Sequence, residues 1–252
     1  MASLQGKHAL VTGGGRGIGR AIAAALSQAG AAVTIAGRSK DTLADAVGKG
    51  DAKGYIIADV TDAKAVDSGI REAVAARGPI DLLVANAGTA TAAPIAKATA
   101  AQFQDMFSQH VLGMLYPVQA VLAGMIERGF GRIVAVASIV SLRAAPGVAP
   151  YTTAKHAMLG LVRSIALEAA GTGVTANAVC PGYVETDLIL NPIQQMIDKG
   201  MSKEEATSRF TARVPVGRLI KPAEVAEAVL YFCSPMAAAT TGSTLVIGAE
   251  TP

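Results

Sequence analysis

Short apolar runs rich in valine and isoleucine alternate along the chain with longer stretches whose apolar residues recur at helical spacing. His8–Thr12, Ala32–Ala36, Gly54–Ala58, Asp81–Ala85, Arg132–Ala137 and Thr175–Val179 read as strands. Their apolarity is continuous rather than alternating, the pattern of strands covered on both faces. Ile18–Ala29, Asp41–Lys49, Asp62–Ala76, Thr99–Arg128 and Pro150–Ala170 read as helices between them, and a helix at Pro222–Phe232 and a strand at Thr244–Ile247 close the series. Repeated strand–helix order predicts one α/β domain over residues 1–252, built on a doubly wound parallel sheet with right-handed crossovers. Residues 188–213 interrupt that rhythm with Asn191-Pro192, Gly200 and mixed polarity, and read as a small helical insertion serving as a substrate lid. Leu188, Ile189, Leu190, Ile193, Met196 and Ile197 suit a lid, while Lys199, Lys203, Arg209 and Arg213 nearly balance Asp198, Glu204 and Glu205.

With 252 residues, 51% of them hydrophobic and 16% charged, the chain can bury a large core. A net charge of +3 without a Lys/Arg-rich run, no tryptophan, five tyrosines and five phenylalanines give no basis for a nucleic-acid partner. No apolar run appears long enough for a membrane span, and the start shows no secretory pattern. Cys180 and Cys233 are too few for a disulfide framework and read as buried thiols of a reducing, cytoplasmic setting. No Cys/His cluster has metal-ligand spacing, so no metal is expected. His8 and His156 read as structural.

Chemistry enters at Thr12-Gly13-Gly14-Gly15-Arg16-Gly17-Ile18-Gly19, between the first strand and the first helix. Gly13, Gly15, Gly17 and Gly19 let the backbone turn tightly and approach a pyrophosphate seated on the helix N-terminus, with Ile18 opening that helix. A tight connection without a ligand is the alternative reading. The second strand ends in Ala36-Gly37-Arg38, where an acidic residue would select NAD by binding the ribose 2′-hydroxyl. Glycine there, Arg38 beside it and Arg16 in the loop suit a 2′-phosphate instead, so NADP(H) is expected over NAD(H). Downstream, Tyr151 and Lys155 stand at i and i+4 of one helix and can address one site. A tyrosine near its ordinary pKa of about 10 is a poor catalyst at neutral pH, and a neighbouring ammonium would lower that value. Ser138, at the end of a strand, could bind a substrate oxygen.

Taken together, Thr12–Gly19, Asp59-Val60, Asn86-Ala87-Gly88, Ser138, Tyr151 with Lys155, and Pro181-Gly182 followed by Thr186 resemble the short-chain dehydrogenase/reductase family, in order and over nearly the whole chain. The resemblance implies a Rossmann-type single domain that uses a nicotinamide cofactor to interconvert a ketone and a secondary alcohol. Tyr151 would be general acid in reduction and base in oxidation, Lys155 would hold the nicotinamide ribose and tune Tyr151, and Ser138 would polarise the carbonyl. Asp59 and Val60 would contact adenine, and Asn86, Ala87 and Gly88 would line the cofactor and brace the central strand. Val184 and Thr186, after Pro181-Gly182, would fix the carboxamide. The long helix Thr99–Arg128 and the helix after Tyr151 would form a dimer interface, and a homotetramer is expected.

Two positions depart from the family. Its usual Asn-x-x-Gly on the long helix is His110-Val111-Leu112-Gly113 here, and His110 is either a titrating member of a proton relay or a packed residue that keeps only its main-chain carbonyl. The usual Asp-Gly-Gly near the end is Gly248-Ala249-Glu250, with an effect on packing or assembly expected. A ketone, such as a β-keto thioester or a cyclic ketone, is the expected substrate, and Thr211–Phe232, which resembles ketoreductases of fatty-acid and polyketide pathways and hydroxybutyrate-type dehydrogenases alike, does not settle which. An NAD-linked dehydrogenase working oxidatively is one alternative, and a non-catalytic nicotinamide-binding regulator is another.

Overall fold

A computed structural model describes residues 3–212 and 214–248. Arg213, Ala249 and Glu250, on which parts of the lid and C-terminal readings fall, lie outside the described residues. In chain order the elements are β1 (His8–Thr12), α1 (Gly17–Gln28), β2 (Ala32–Gly37), α2 (Lys40–Gly48), β3 (Gly54–Ile57), α3 (Ala63–Arg77), β4 (Leu82–Ala85), α4 (Ala100–Phe107), α5 (Gly113–Glu127), β5 (Gly131–Val136), α6 (Ala149–Glu168), β6 (Val174–Pro181), α7 (Asp187–Asp198), α8 (Lys203–Thr211), α9 (Pro222–Cys233) and β7 (Thr244–Ile247). The strands form one seven-stranded sheet in the order β3-β2-β1-β4-β5-β6-β7, parallel throughout. The doubly wound expectation therefore holds, and the order reverses between β1 and β4, where such sheets open a crevice at the strands' carboxyl ends.

Strand alternation feeds two cores. Ala9, Val11, Ile35, Val84 and Val134 face the layer holding Ile22 and Leu26 of α1 and Val225, Val229 and Phe232 of α9. Leu10, Leu83, Ile133 and Ala135 face Ile70 of α3, Met114 and Val118 of α5, and Met158 and Val162 of α6. A side chain such as Leu10, at 1% exposure, gains roughly 1.5–3 kcal/mol by its burial. The insertion folds as α7 and α8 around a cluster of its own, Ile193, Ala206 and Leu219. Leu188 and Leu190 stay half exposed on its cleft side.

The stretch expected as one helix over Thr99–Arg128 is two helices joined by a π-helical turn at Ser108–Leu112. Thr99 caps α4 through a reciprocal bond with Gln102. At the turn, the Gly113 N–H reaches back to the Ser108 carbonyl. The apolar spacing continues through the turn, so the pattern alone did not reveal it. By length and composition Ala100–Glu127, at 28 residues, is apolar enough to cross a membrane, contrary to the sequence reading. In the fold its buried Met106, Met114, Val118, Val121 and Met125 lie in the protein core.

Candidate active site

A cleft of about 1130 Å³ lies at the carboxyl ends of the strands. One wall is the glycine-rich loop. Gly13 has φ +67°, and a Cβ there would come within 2.9 Å of the Ala87 Cα, so only glycine fits this approach. The Asn86 side chain donates to the carbonyls of Thr12 (2.9 Å) and Gly13 (3.3 Å). The Thr12 hydroxyl accepts from the N–H groups of Asn86 (3.0 Å) and Ala87 (3.1 Å). Asn86-Ala87 thus fastens the loop to the end of β4. No side chain caps the first turn of α1, leaving its N–H groups available to an anion. This cradle, open to a phosphate and closed to a Cβ, fits the pyrophosphate of a dinucleotide.

Arg16 and Arg38 line the same cleft, both largely exposed. Sequence reading saw two cations without a carboxylate, and the fold brings one to each. Arg16 pairs with Asp187 at the start of α7 (3.2 Å), and Arg38 with Asp59 (3.6 Å). Exposed pairs of this kind are worth about 0–1 kcal/mol, little enough for a phosphate to displace. Asp59 also accepts from the Thr61 N–H (2.9 Å) and hydroxyl (2.7 Å), and these bonds hold its carboxyl below the ordinary carboxylate range.

At the other end of the cleft, α6 presents Tyr151 and Lys155 one turn apart. Lys155, 3% exposed, donates to the Val136 carbonyl (2.8 Å), and its Nζ lies 5.7 Å from the centre of the Tyr151 ring. Ser138 follows β5, and its hydroxyl hydrogen-bonds Tyr151 and accepts from the Val140 N–H (3.3 Å). The expected lowering of the Tyr151 pKa is not found within the protein itself. Burial pushes the phenol up to about 12, against the pull of Ser138, and burial lowers Lys155 to about 7. Desolvation disfavours both charged forms, and it is the largest influence on each. The buried Cys180 thiol beside them is raised to about 11, again by burial first.

His110 stands on the π turn at 2% exposure, edge-on to Tyr151 with ring centres 5.3 Å apart. Burial first, then the Lys155 charge, lowers it to about 3. Burial thus works against the ionising version of its role, in which the ring would titrate near neutral pH.

Asp59, Val60, Asn86, Ala87, Gly88 and Thr186 all line the cleft, whereas Pro181, Gly182 and Val184 are not among its lining residues. The Gly182 N–H donates to Ile247 (2.9 Å), pinning β7 to β6. Val184 is buried against Ile220, and its carbonyl accepts from the Thr186 N–H (2.8 Å).

A family model described as enoyl-(acyl carrier protein) reductase matches residues 13–249. The chain is 36% identical to acetoacetyl-CoA reductase of Rhizobium meliloti, over 94% of this chain and 95% of that one. It is likewise 36% identical to the 3-oxoacyl-[acyl-carrier-protein] reductase of Vibrio cholerae, over 96% of each. The chain belongs to the short-chain dehydrogenase/reductase family. Among solved members, an actinorhodin polyketide ketoreductase variant with NADPH superimposes with TM-score 0.91 and 36% identity, covering 99% of this chain and 98% of that one. L-Sorbose reductase of Gluconobacter frateurii, complexed with NADPH and L-sorbose, gives TM-score 0.93 at 26% identity, with 99% and 98% covered. The protein is accordingly a nicotinamide-dependent oxidoreductase of the ketoreductase type. Sequence reading of this family member missed Thr89, Asp105, Gln109 and Asp187 on the cleft wall. Of these, only the i, i+4 spacing of Asp105 and Gln109 was a signal in the chain.

Proposed function

We propose that this family member is an NADP(H)-dependent ketoreductase that acts on a β-ketoacyl thioester and works reductively. The observation that carries the reading is a cleft lined by Tyr151, Lys155, Arg16 and Arg38, with Ser138 hydrogen-bonded to Tyr151 from beside it. A bound nicotinamide cofactor would supply the hydride, with the glycine-rich loop cradling its pyrophosphate and Lys155 its ribose. A carbonyl oxygen seated between the Ser138 and Tyr151 hydroxyls takes a hydrogen bond from Ser138 and the proton from Tyr151. A phenol held up to about 12 stays protonated at neutral pH, which suits a proton donor and favours reduction. The Lys155 ammonium stabilises the phenolate left behind. Three relatives are named for ketoacyl or acetoacetyl thioesters and polyketides, which favours that substrate class over simple alcohols. Rates with acetoacetyl-CoA, cyclic diketones and NADPH or NADH test the reading, and kcat/KM at least as high with NADH would reject the cofactor assignment.

Arg38→Asp is expected to lower kcat/KM for NADPH by tenfold or more and to raise it for NADH. The new carboxylate repels the 2′-phosphate and accepts from a ribose hydroxyl. An unchanged cofactor ratio would take Arg38 out of the phosphate site.

The assembly we infer is a homotetramer. Between α4 and α6 an apolar groove of about 420 Å³, lined by Phe103, Phe107, Leu112, Pro150 and Ala154, faces outward where the resemblance puts a dimer contact. A monomeric mass by light scattering at micromolar concentration would refute this.

A further inference from the structure

Hydrogen bonds from the surface hold the side chain of Thr89, the residue whose main-chain carbonyl binds His110. The ring Nε2 lies 2.7 Å from the Thr89 carbonyl, which can only accept, so Nε2 carries the proton. The Thr89 hydroxyl donates to Gln109 Oε1 (2.9 Å), and Gln109 Nε2 donates to both carboxylate oxygens of Asp105 (2.9 Å each). Asp105 ends this chain on α4, and the π turn sends Gln109 outward to it and His110 inward. Behind the ring, a Cβ on Gly88 would overlap the imidazole, so the backbone there presses directly on it. With Nε2 committed, Nδ1 is a buried lone pair with no hydrogen-bond partner among the described residues.

Two consequences follow from this arrangement. A ring bonded at one nitrogen and packed against Gly88 on one side is fixed in orientation, and its edge-on contact with Tyr151 transmits that orientation to the phenol. The tautomer is fixed as well. A proton on Nδ1 would add positive charge to a pocket that already holds the Lys155 ammonium.

We propose that Thr89, Gln109 and Asp105 are positioning residues for the reaction, holding the His110 ring as an oriented edge that sets the Tyr151 ring in place for proton delivery. This rests on Tyr151 being the proton donor. The outer members of the chain are solvent-exposed or half-buried, so replacing them leaves the core intact. Thr89→Val and Gln109→Leu are expected to lower kcat about tenfold, part of the ~100-fold that a 1 Å misplacement can cost, with the Kd for NADPH unchanged. Thr89→Ser, which keeps the hydroxyl, restores most of the rate. In a His110→Phe background, which has no N–H to orient, Thr89→Val has no further effect. A Thr89→Val enzyme with wild-type kcat would overturn the proposal. So would an equal loss in the His110→Phe background, or a loss confined to NADPH binding. Activity of Tyr151→Phe, assayed in parallel, separates a failure of the donor assignment from a failure of the positioning chain.

Discussion

Tyr151→Phe is expected to lose kcat by about 100- to 10,000-fold, the usual worth of a positioned general acid, while NADPH still binds with its wild-type Kd. The substitution removes one oxygen. It leaves the ring that meets His110 at 5.3 Å, and Lys155 keeps its bond to the Val136 carbonyl. Ser138 still polarises the carbonyl, so the residual rate measures what orientation and a single hydrogen bond supply without a proton donor. The raised pKa adds a directional expectation. A phenol at about 12 stays protonated across neutral pH, so a fall in reduction as pH rises through about 7 should come from Lys155 losing its charge and not from Tyr151. Full turnover by the purified variant, measured by single-turnover oxidation of NADPH, would remove Tyr151 from the mechanism.

The strands were legible because burial on both faces leaves a continuous apolar run. Even so β6 extends to Val174–Pro181, beyond the predicted Thr175–Val179, since Val174 and Pro181 still pair with Gly131 and Ile247. The glycine-rich loop, Tyr151 and Lys155 were legible because their spacing is local. What could not be read is what tertiary folding brings together. Asp187 reaches Arg16 across 171 positions, and no local pattern signals that this arginine has a carboxylate partner. Thr89 reaches His110 across 21 positions through a π turn that keeps the helix's apolar spacing intact. The sign of the Tyr151 shift was equally hidden. A neighbouring ammonium is visible as Lys155 at i+4, but the burial that raises Tyr151 comes only with the tertiary fold.

His110→Asn should make the protein less sensitive to acid. In the folded protein His110 is held at about 3 by burial and by Lys155, against an ordinary value of 6.5. Above pH 6.5 the imidazole is neutral in both the folded and the unfolded chain and contributes nothing to pH dependence. Below it the unfolded chain takes up a proton that the folded chain refuses, so stability falls as pH falls. The slope is about 1.4 kcal/mol per pH unit, reaching roughly 2 kcal/mol by about pH 5. His8 adds to the same trend, since burial lowers it too while its ring bonds the Gly78 carbonyl and the Thr34 hydroxyl. Carboxylates titrate in this window as well, so the informative quantity is the difference between wild type and variant. Asparagine has no proton to take up and cancels only the His110 part. At about pH 7.5 the variant should be the less stable protein, because it gives up the ring packing against Gly88 and Tyr151. By about pH 5 that gap should have closed by roughly 2 kcal/mol. Urea unfolding of both proteins at the two pH values measures it directly. A gap that stays constant between them would mean that His110 is protonated in the folded state at pH 5, and the un-ionised edge against Tyr151 would be lost with it.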